Sequence, residues 1–175
     1  KCLSLANGEY FVLLCDDDIL LPNFVSELLH LAYKYPDCNV FHARKINMQK
    51  DLSKTESPIW PEYESAESFL RNRLAKKRHH TITEFLYRTA AIQDKKYVVF
   101  PKGFYSDNAS IINFSQNGGI ASSKDCLAIF RYSEEHITTN SSPENCIGKT
   151  KDAIAYWNWI HQFDIAKEYK QQIYE

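Results

Sequence analysis

Apolar and polar residues occur in separate blocks near the start of the chain, and these blocks predict its first elements. Residues 10–14 are all apolar and lead directly into Cys15 and three aspartates. An unbroken apolar run is typical of a strand buried on both faces. From Pro22, apolar residues recur at helical spacing until Pro36, and residues 40–43 are predicted to form a short strand. This order predicts an α/β fold with the aspartates at the carboxyl end of a parallel strand, where such folds bind ligands.

The rest of the chain continues to alternate between helical and strand-like segments. Residues 48–66 are polar and contain two prolines, which favours a loop. Residues 66–78 predict a helix with a basic exposed side, and the tail from residue 149 predicts an amphipathic helix. The apolar residues of that tail helix are Ile154, Trp157, Ile160 and Phe163. Strands are also predicted at residues 83–88, 97–100, 120–121 and 127–131, and a helix at residues 108–116.

Composition limits the class of protein. The 175 residues carry a net charge of −1 and are 44% hydrophobic, which predicts one ordinary domain with its own core. The near-neutral charge gives no basic face, so we expect no nucleic-acid partner. No apolar run approaches the roughly 18–20 residues that span a bilayer.

Cysteine usage and one pair of tryptophans bear on location. The five cysteines are scattered, with no Cys-x-x-Cys pair, which argues against a disulfide framework or a zinc site and predicts a reducing, cytoplasmic location. Trp157 and Trp159 are two residues apart, so one helical face cannot bury both. An exposed tryptophan there would favour contact with another copy of the chain, with another partner, or with the inner face of a membrane.

The aspartates Asp16, Asp17 and Asp18 are the strongest chemical signal. Three neighbouring carboxylates repel one another, and folding alone gives no reason to place them at the end of a buried strand. Mg²⁺ and Mn²⁺ bind such oxygens together with substrate phosphates, and would neutralise a leaving diphosphate. The alternative interpretation is a solvated acidic turn.

Asp107 is the second candidate. It precedes a predicted helix, where an aspartate commonly caps the free backbone amides. The functional interpretation is a general base that takes a proton from a hydroxyl nucleophile. Weaker candidates are His79 and His80, as a solvated basic turn or as the lining of an acceptor pocket, and Arg131, as a surface cation or a phosphate contact.

Residues 5–24, with Gly8-Glu9-Tyr10 before the aspartates and Pro22 after them, closely resemble the central segment of family 2 glycosyltransferases. Residues 104–109 resemble the later acidic motif of that family, which precedes a helix and carries the catalytic base. Residues 84–89 and 130–132 resemble its flanking strands, so the likeness covers roughly residues 3–135. It implies an α/β, GT-A-like (Rossmann-like) mixed sheet flanked by helices.

The resemblance also implies roles for the candidate residues. Asp17 would bridge to a Mn²⁺ or Mg²⁺ ion, Asp16 would contact the nucleotide at its ribose, and Asp18 would support both with its charge. Asp107 would deprotonate the acceptor hydroxyl, and transfer from a nucleotide-sugar would invert the anomeric carbon. The acceptor would be a carbohydrate or a lipid-linked sugar in polysaccharide or glycoconjugate synthesis.

The sequence departs from the family pattern in three places. Cys15 stands where many members have an acidic residue, and Ser106 replaces the frequent glutamate beside the base. The N-terminal nucleotide-binding half is missing, so we expect residues 1–148 to be the metal and acceptor half of the domain, with residues 149–175 as a C-terminal helix. Such a truncated chain would be inactive alone, or would be a non-catalytic scaffold module. A third hypothesis is a metal-dependent phosphohydrolase that uses the three aspartates.

Overall fold

The computed structural model describes residues 3–132 and 141–164. Its strands are β1 (Tyr10–Val12), β2 (Ile19–Leu20), β3 (Val40–Met48), β4 (Lys54–Glu56), β5 (Tyr63–Glu64), β6 (Phe85–Arg88) and β7 (Ile120–Arg131). Its α-helices are α1 (Phe24–Lys34), α2 (Ala66–Leu74), α3 (Thr89–Lys95), α4 (Ser106–Ser115) and α5 (Pro143–Ile160). Short 3₁₀ helices lie at Leu3–Leu5 and Ile82–Glu84.

The strands form one mixed sheet in the order β1-β6-β3-β7-β2, and the short strands β4 and β5 pair with β3 and β7, respectively. The central strands β3 and β7 are parallel, whereas β6 is antiparallel to both β1 and β3. Because β1 and β3 are both antiparallel to β6, β1 runs in the same direction as β3 and β7. The predicted α/β class with a mixed sheet is confirmed.

Helices cover both faces of the sheet. Successive residues of the strands enter two different apolar clusters, as expected for side chains that alternate between faces. Val40 packs with α2, α4 and α5, whereas Phe41 packs beneath α1. The result is a helix–sheet–helix sandwich with a core on each side of the sheet.

The strand before the aspartates differs from the prediction in two ways. It pairs antiparallel with β6, so the aspartates do not follow a strand with a parallel neighbour. It contributes to both apolar clusters, but only Phe11 is buried, and Leu14 beyond its end is 55% exposed. Within the described residues β1 lies at an edge of the sheet, and an edge strand has fewer neighbours to cover it.

Residues 97–100 were predicted as a strand and are not one. Their backbone amides bond to serine side chains of α4 instead of to a neighbouring strand: Val98 N donates to Ser110 Oγ at 2.9 Å and Phe100 N to Ser106 Oγ at 3.0 Å. Two further predictions also need correction. The polar residues 48–66 contain the short strands β4 and β5, and the two strands predicted near the end are the single strand β7.

The C-terminal helix begins at Pro143, six residues before the predicted start at residue 149. Its buried residues are Gly148, Asp152, Tyr156 and Ile160, so the buried face is not the predicted one except at Ile160. Trp157 is 40% exposed and Trp159 is half-buried, which confirms that one face does not bury both. The predicted tail beyond residue 164 lies outside the described residues. In the described part of the chain, no helix combines the length and apolar character needed to cross a membrane.

Candidate functional site

A cleft of about 1220 Å³ opens where β1, β3 and β7 reach their carboxyl ends. The aspartates after β1 and the start of α4 both line it. The four residues singled out from the sequence all line this cleft: Asp16, Asp17, Asp18 and Asp107. The fold therefore brings together two motifs that lie about 90 residues apart in the sequence.

The acidic turn contains a group of three possible metal ligands. Ligand atoms of Cys15, Asp17 and Asp18 lie within 4.8 Å of one another, whereas Asp16 is outside the group. Asp18 is only 8% exposed. Its Oδ2 accepts a hydrogen bond from Thr83 Oγ1 at 2.6 Å, and its buried Oδ1 has no hydrogen-bond partner in the described part of the chain. A buried carboxylate oxygen without a donor is the kind of atom that a hard cation would satisfy.

The residues fit Mg²⁺ or Mn²⁺ better than a soft metal. Asp17 and Asp18 supply oxygen ligands, which these cations prefer. Burial raises the pKa of the Cys15 thiol, and the neighbouring carboxylates raise it further, so the sulfur stays protonated. Burial also raises the pKa of Asp18, and Asp17 adds to this rise, which is the expected cost of two close carboxylates without a cation.

Thr83 holds the acidic turn in place, and sequence reasoning missed it. Besides its bond to Asp18, its Oγ1 accepts the backbone N–H of Cys15 at 3.2 Å. Arg131, at the end of β7, donates from Nε to the backbone oxygen of Asp17. The sequence offered no signal for Thr83, because it lies 65 residues from its partner.

A buried ionic network stands directly behind Thr83. Glu84 is bonded by Lys45 Nζ at 2.6 Å and by His42 Nε2 at 3.2 Å. Burial raises the pKa of Glu84, but the His42 hydrogen bond and the Lys45 charge outweigh it and bring the pKa to about 2. Burial lowers the pKa of His42, so a neutral imidazole donates to the carboxylate. The network fixes the 3₁₀ helix that carries Thr83.

Asp107 lies inside the first turn of α4 and is not its cap. The N-cap is Tyr105, which adopts a left-handed φ of 65°, and no side chain caps the helix there. The Asp107 side chain is 25% exposed, and its Oδ1 accepts from Asn108 Nδ2 at 3.1 Å. Burial raises the pKa of Asp107, whereas Asn108 and Arg73 oppose the rise. A raised pKa makes a carboxylate a better proton acceptor.

Helix α5 holds the turn that leads to Asp107. Asp152 is completely buried, and its carboxylate accepts the backbone N–H groups of Lys102 and Phe104, each at 3.0 Å. The ring of Tyr105 stacks on Tyr156 with centroids 5.0 Å apart. A left-handed backbone is uncommon for a bulky residue such as Tyr105. These contacts hold Tyr105 in that conformation. The C-terminal helix is thus part of the cleft's scaffold.

The adjacent histidines differ sharply in their surroundings. His79 is exposed, as expected for a solvated turn. The side chain of His80 is 0% exposed, so the solvated-turn interpretation is wrong for this residue. Both residues line the cleft, but His80 does so with its backbone, because its side chain is fully covered.

Comparisons with known proteins give a fold but no family. No protein-family model matches the sequence, and no curated protein matches it. Among solved structures, the chain is similar to S. aureus TarS, a glycosyltransferase, at a TM-score of 0.54 and 16% identity over 76% of this chain and 23% of that one. A structure of TarS 1–349 gives a TM-score of 0.53 and 15% identity over 78% of this chain and 40% of that one.

At this identity the likeness shows the fold alone, which is GT-A-like, as the sequence predicted. The chain spans less than half the length of either TarS structure.

Proposed function

We propose that this chain forms the metal and acceptor side of a glycosyltransferase that moves a sugar from a nucleotide donor to a carbohydrate or lipid-linked acceptor. The reaction would serve polysaccharide or glycoconjugate synthesis. One observation carries the proposal: a single cleft is lined by a carboxylate pair with an unpartnered buried oxygen and by a separate carboxylate with a raised pKa. The GT-A-like fold supports it.

On the donor side, Asp17 and Asp18 would hold Mn²⁺ or Mg²⁺. Such a cation, when bound, would neutralise the negative charge that develops on the departing diphosphate. Thr83 keeps the Asp18 carboxylate in position. Asp16 is not a member of the metal-ligand group and would instead contact the ribose.

On the acceptor side, Asp107 would accept the proton of the attacking hydroxyl group. The hydroxyl oxygen forms its bond to the anomeric carbon as the bond from that carbon to the diphosphate breaks, and the proton remains on the Asp107 carboxyl group. Attack from the face opposite the leaving group inverts the anomeric configuration. The protein's contribution is positioning and charge, because a diphosphate is already a good leaving group.

A non-catalytic binding or scaffold module is the second candidate. It is favoured by the exposed apolar residues Ile154 and Trp157 on α5. A metal-dependent phosphohydrolase is less favoured, because no histidine joins the acidic ligand group within the described residues.

Calorimetry of UDP binding with and without Mn²⁺ separates the enzyme from the scaffold. For the full natural protein that contains this sequence, we expect binding that requires Mn²⁺ and is lost in Asp17→Ala. For this chain alone we expect weak or undetectable binding, because residues 3–135 resemble the metal and acceptor part of the family's domain, whereas the family makes most base and ribose contacts with its N-terminal strands. Retained affinity in Asp17→Ala would discredit the metal site, and a submicromolar Kd for the chain alone would show that it holds a complete nucleotide pocket.

A further inference from the structure

His80 is a buried imidazole without a hydrogen bond. Its ring lies between Phe69 and Phe85, with centroid distances of 5.8 Å and 5.3 Å. Neither Nδ1 nor Nε2 has a hydrogen-bond partner among the described residues. An imidazole always carries at least one N–H, and burying it unpaired is unfavourable. A phenylalanine would fill the same space without that cost, so the ring nitrogens indicate a role.

The charged group that His80 faces is Asp107. His80 Nε2 lies 3.8 Å from Asp107 Oδ2. That gap is about 1 Å longer than a charge-assisted N–H···O⁻ bond. Catalytic hydrogen bonds are often long or poorly aligned in a free protein, and a small rotation of the Asp107 carboxylate would bring Oδ2 within bonding distance of Nε2. The Asp107 carboxylate thus lies between the buried His80 ring and the open cleft.

We infer that His80 is a positioning residue for Asp107: its Nε2–H donates to Asp107 Oδ2 and turns the carboxylate toward the acceptor hydroxyl. The inference rests on the proposed role of Asp107 as the base. His80 itself touches no substrate, because its side chain is fully covered. The proton taken from the acceptor stays on Asp107, and none passes to the ring.

The charge state of His80 suits this role. Burial lowers its pKa well below the usual range, and the nearby Arg73 lowers it further, so the ring is neutral at neutral pH. A neutral donor orients the carboxylate and lowers its affinity for a proton less than a charged imidazolium would. The other titratable groups near the ring are Glu84, Lys45 and His42, and those near Asp107 include Arg73, Tyr97 and Tyr156.

Carbon-13 NMR of labelled aspartate carboxyl groups tests the hydrogen bond without any sugar substrate. The Asp107 signal is assigned by its loss in Asp107→Asn, and its pKa is then measured in each variant. In His80→Phe, which fills the aromatic pocket but cannot donate, we expect the pKa of Asp107 to rise by about one unit. His80→Gln keeps an N–H donor and should keep the pKa close to that of the original protein.

The matched control is His30→Phe, the same substitution at an exposed histidine on α1, which should leave the Asp107 titration unchanged. An unchanged Asp107 pKa in folded His80→Phe would overturn the inference. If His80→Phe does not fold, nitrogen-15 NMR of the imidazole in the original protein and in Asp107→Asn decides. We expect a protonated Nε2 whose signal shifts in Asp107→Asn, and identical signals in both proteins would equally overturn it.

Transfer assays separate this inference from the proposed function. If His80 positions the base, His80→Phe should lower kcat about tenfold or more and leave nucleotide affinity unchanged, with His80→Gln partly restoring the rate. Dependence of transfer on Asp107 without any effect of His80→Phe would refute the positioning role alone. Transfer that survives Asp107→Asn would refute the proposed base, whatever the NMR titration shows.

Discussion

Replacing Asp107 with asparagine is expected to abolish sugar transfer while leaving metal and nucleotide binding nearly intact. Asparagine has the same shape but cannot accept the proton, and loss of a general base costs about 10²–10⁴-fold in rate. The assay measures acceptor-dependent release of the nucleoside diphosphate by the full natural protein, over a panel of sugar nucleotides. Binding should survive, because Asp107 is not a member of the ligand group at the acidic turn.

The control for this substitution is Asp94→Asn, an exposed aspartate in α3 that does not line the cleft. It should keep the full transfer rate. Full transfer by Asp107→Asn would remove Asp107 from the mechanism. Loss of folding in Asp107→Asn, seen by thermal unfolding, would instead show that the carboxylate charge in the first turn of α4 serves mainly to stabilise the fold.

The largest expected loss of stability comes from Glu84→Gln. This change leaves the Lys45 ammonium buried without its counter-charge, and breaking a buried ion pair costs about 3–5 kcal/mol. The free energy of unfolding, measured in urea at pH 7, should fall by that amount. The matched control is Glu56→Gln, which removes an exposed partner of Arg44 and should cost less than about 1 kcal/mol.

The loss in Glu84→Gln should depend on pH. The folded-state pKa of Glu84 is about 2, below the ordinary glutamate value of 4.5. The stability that its ionised form contributes is therefore present above pH 4.5 and disappears as the pH falls toward 2. The two proteins should differ most at neutral pH and converge in acid. A difference that stays constant from pH 7 to pH 3 would contradict the ionic account of this network.

Local sequence patterns predicted the α/β class and singled out Asp16, Asp17, Asp18 and Asp107, which line the cleft. The apolar run at residues 10–14 predicted a strand, and the structure has β1 there. The three aspartates after it line the cleft at the carboxyl end of β1. Asp107 was found because a turn and an apolar helix surround it. These signals are local, so they can be seen without knowing what the chain packs against.

Contacts between distant segments were not predictable in the same way. Thr83 reaches Asp18, and Asp152 reaches the turn at residues 102–104, across gaps that no spacing rule encodes. His79 and His80 are identical neighbours in the sequence, yet only His80 enters an aromatic pocket. Burial of this kind depends on which elements meet in the folded chain.

The proposal's central requirement is a hard cation held by Asp17 and Asp18 in the cleft that Asp107 shares. Electron paramagnetic resonance of Mn²⁺, titrated into this chain, measures that binding directly. We expect saturable binding by the original chain and by Asp107→Asn. The double variant Asp17→Asn, Asp18→Asn should lose it, because amides replace both charged ligands. Equal Mn²⁺ affinity in the double variant and the original chain would contradict the account.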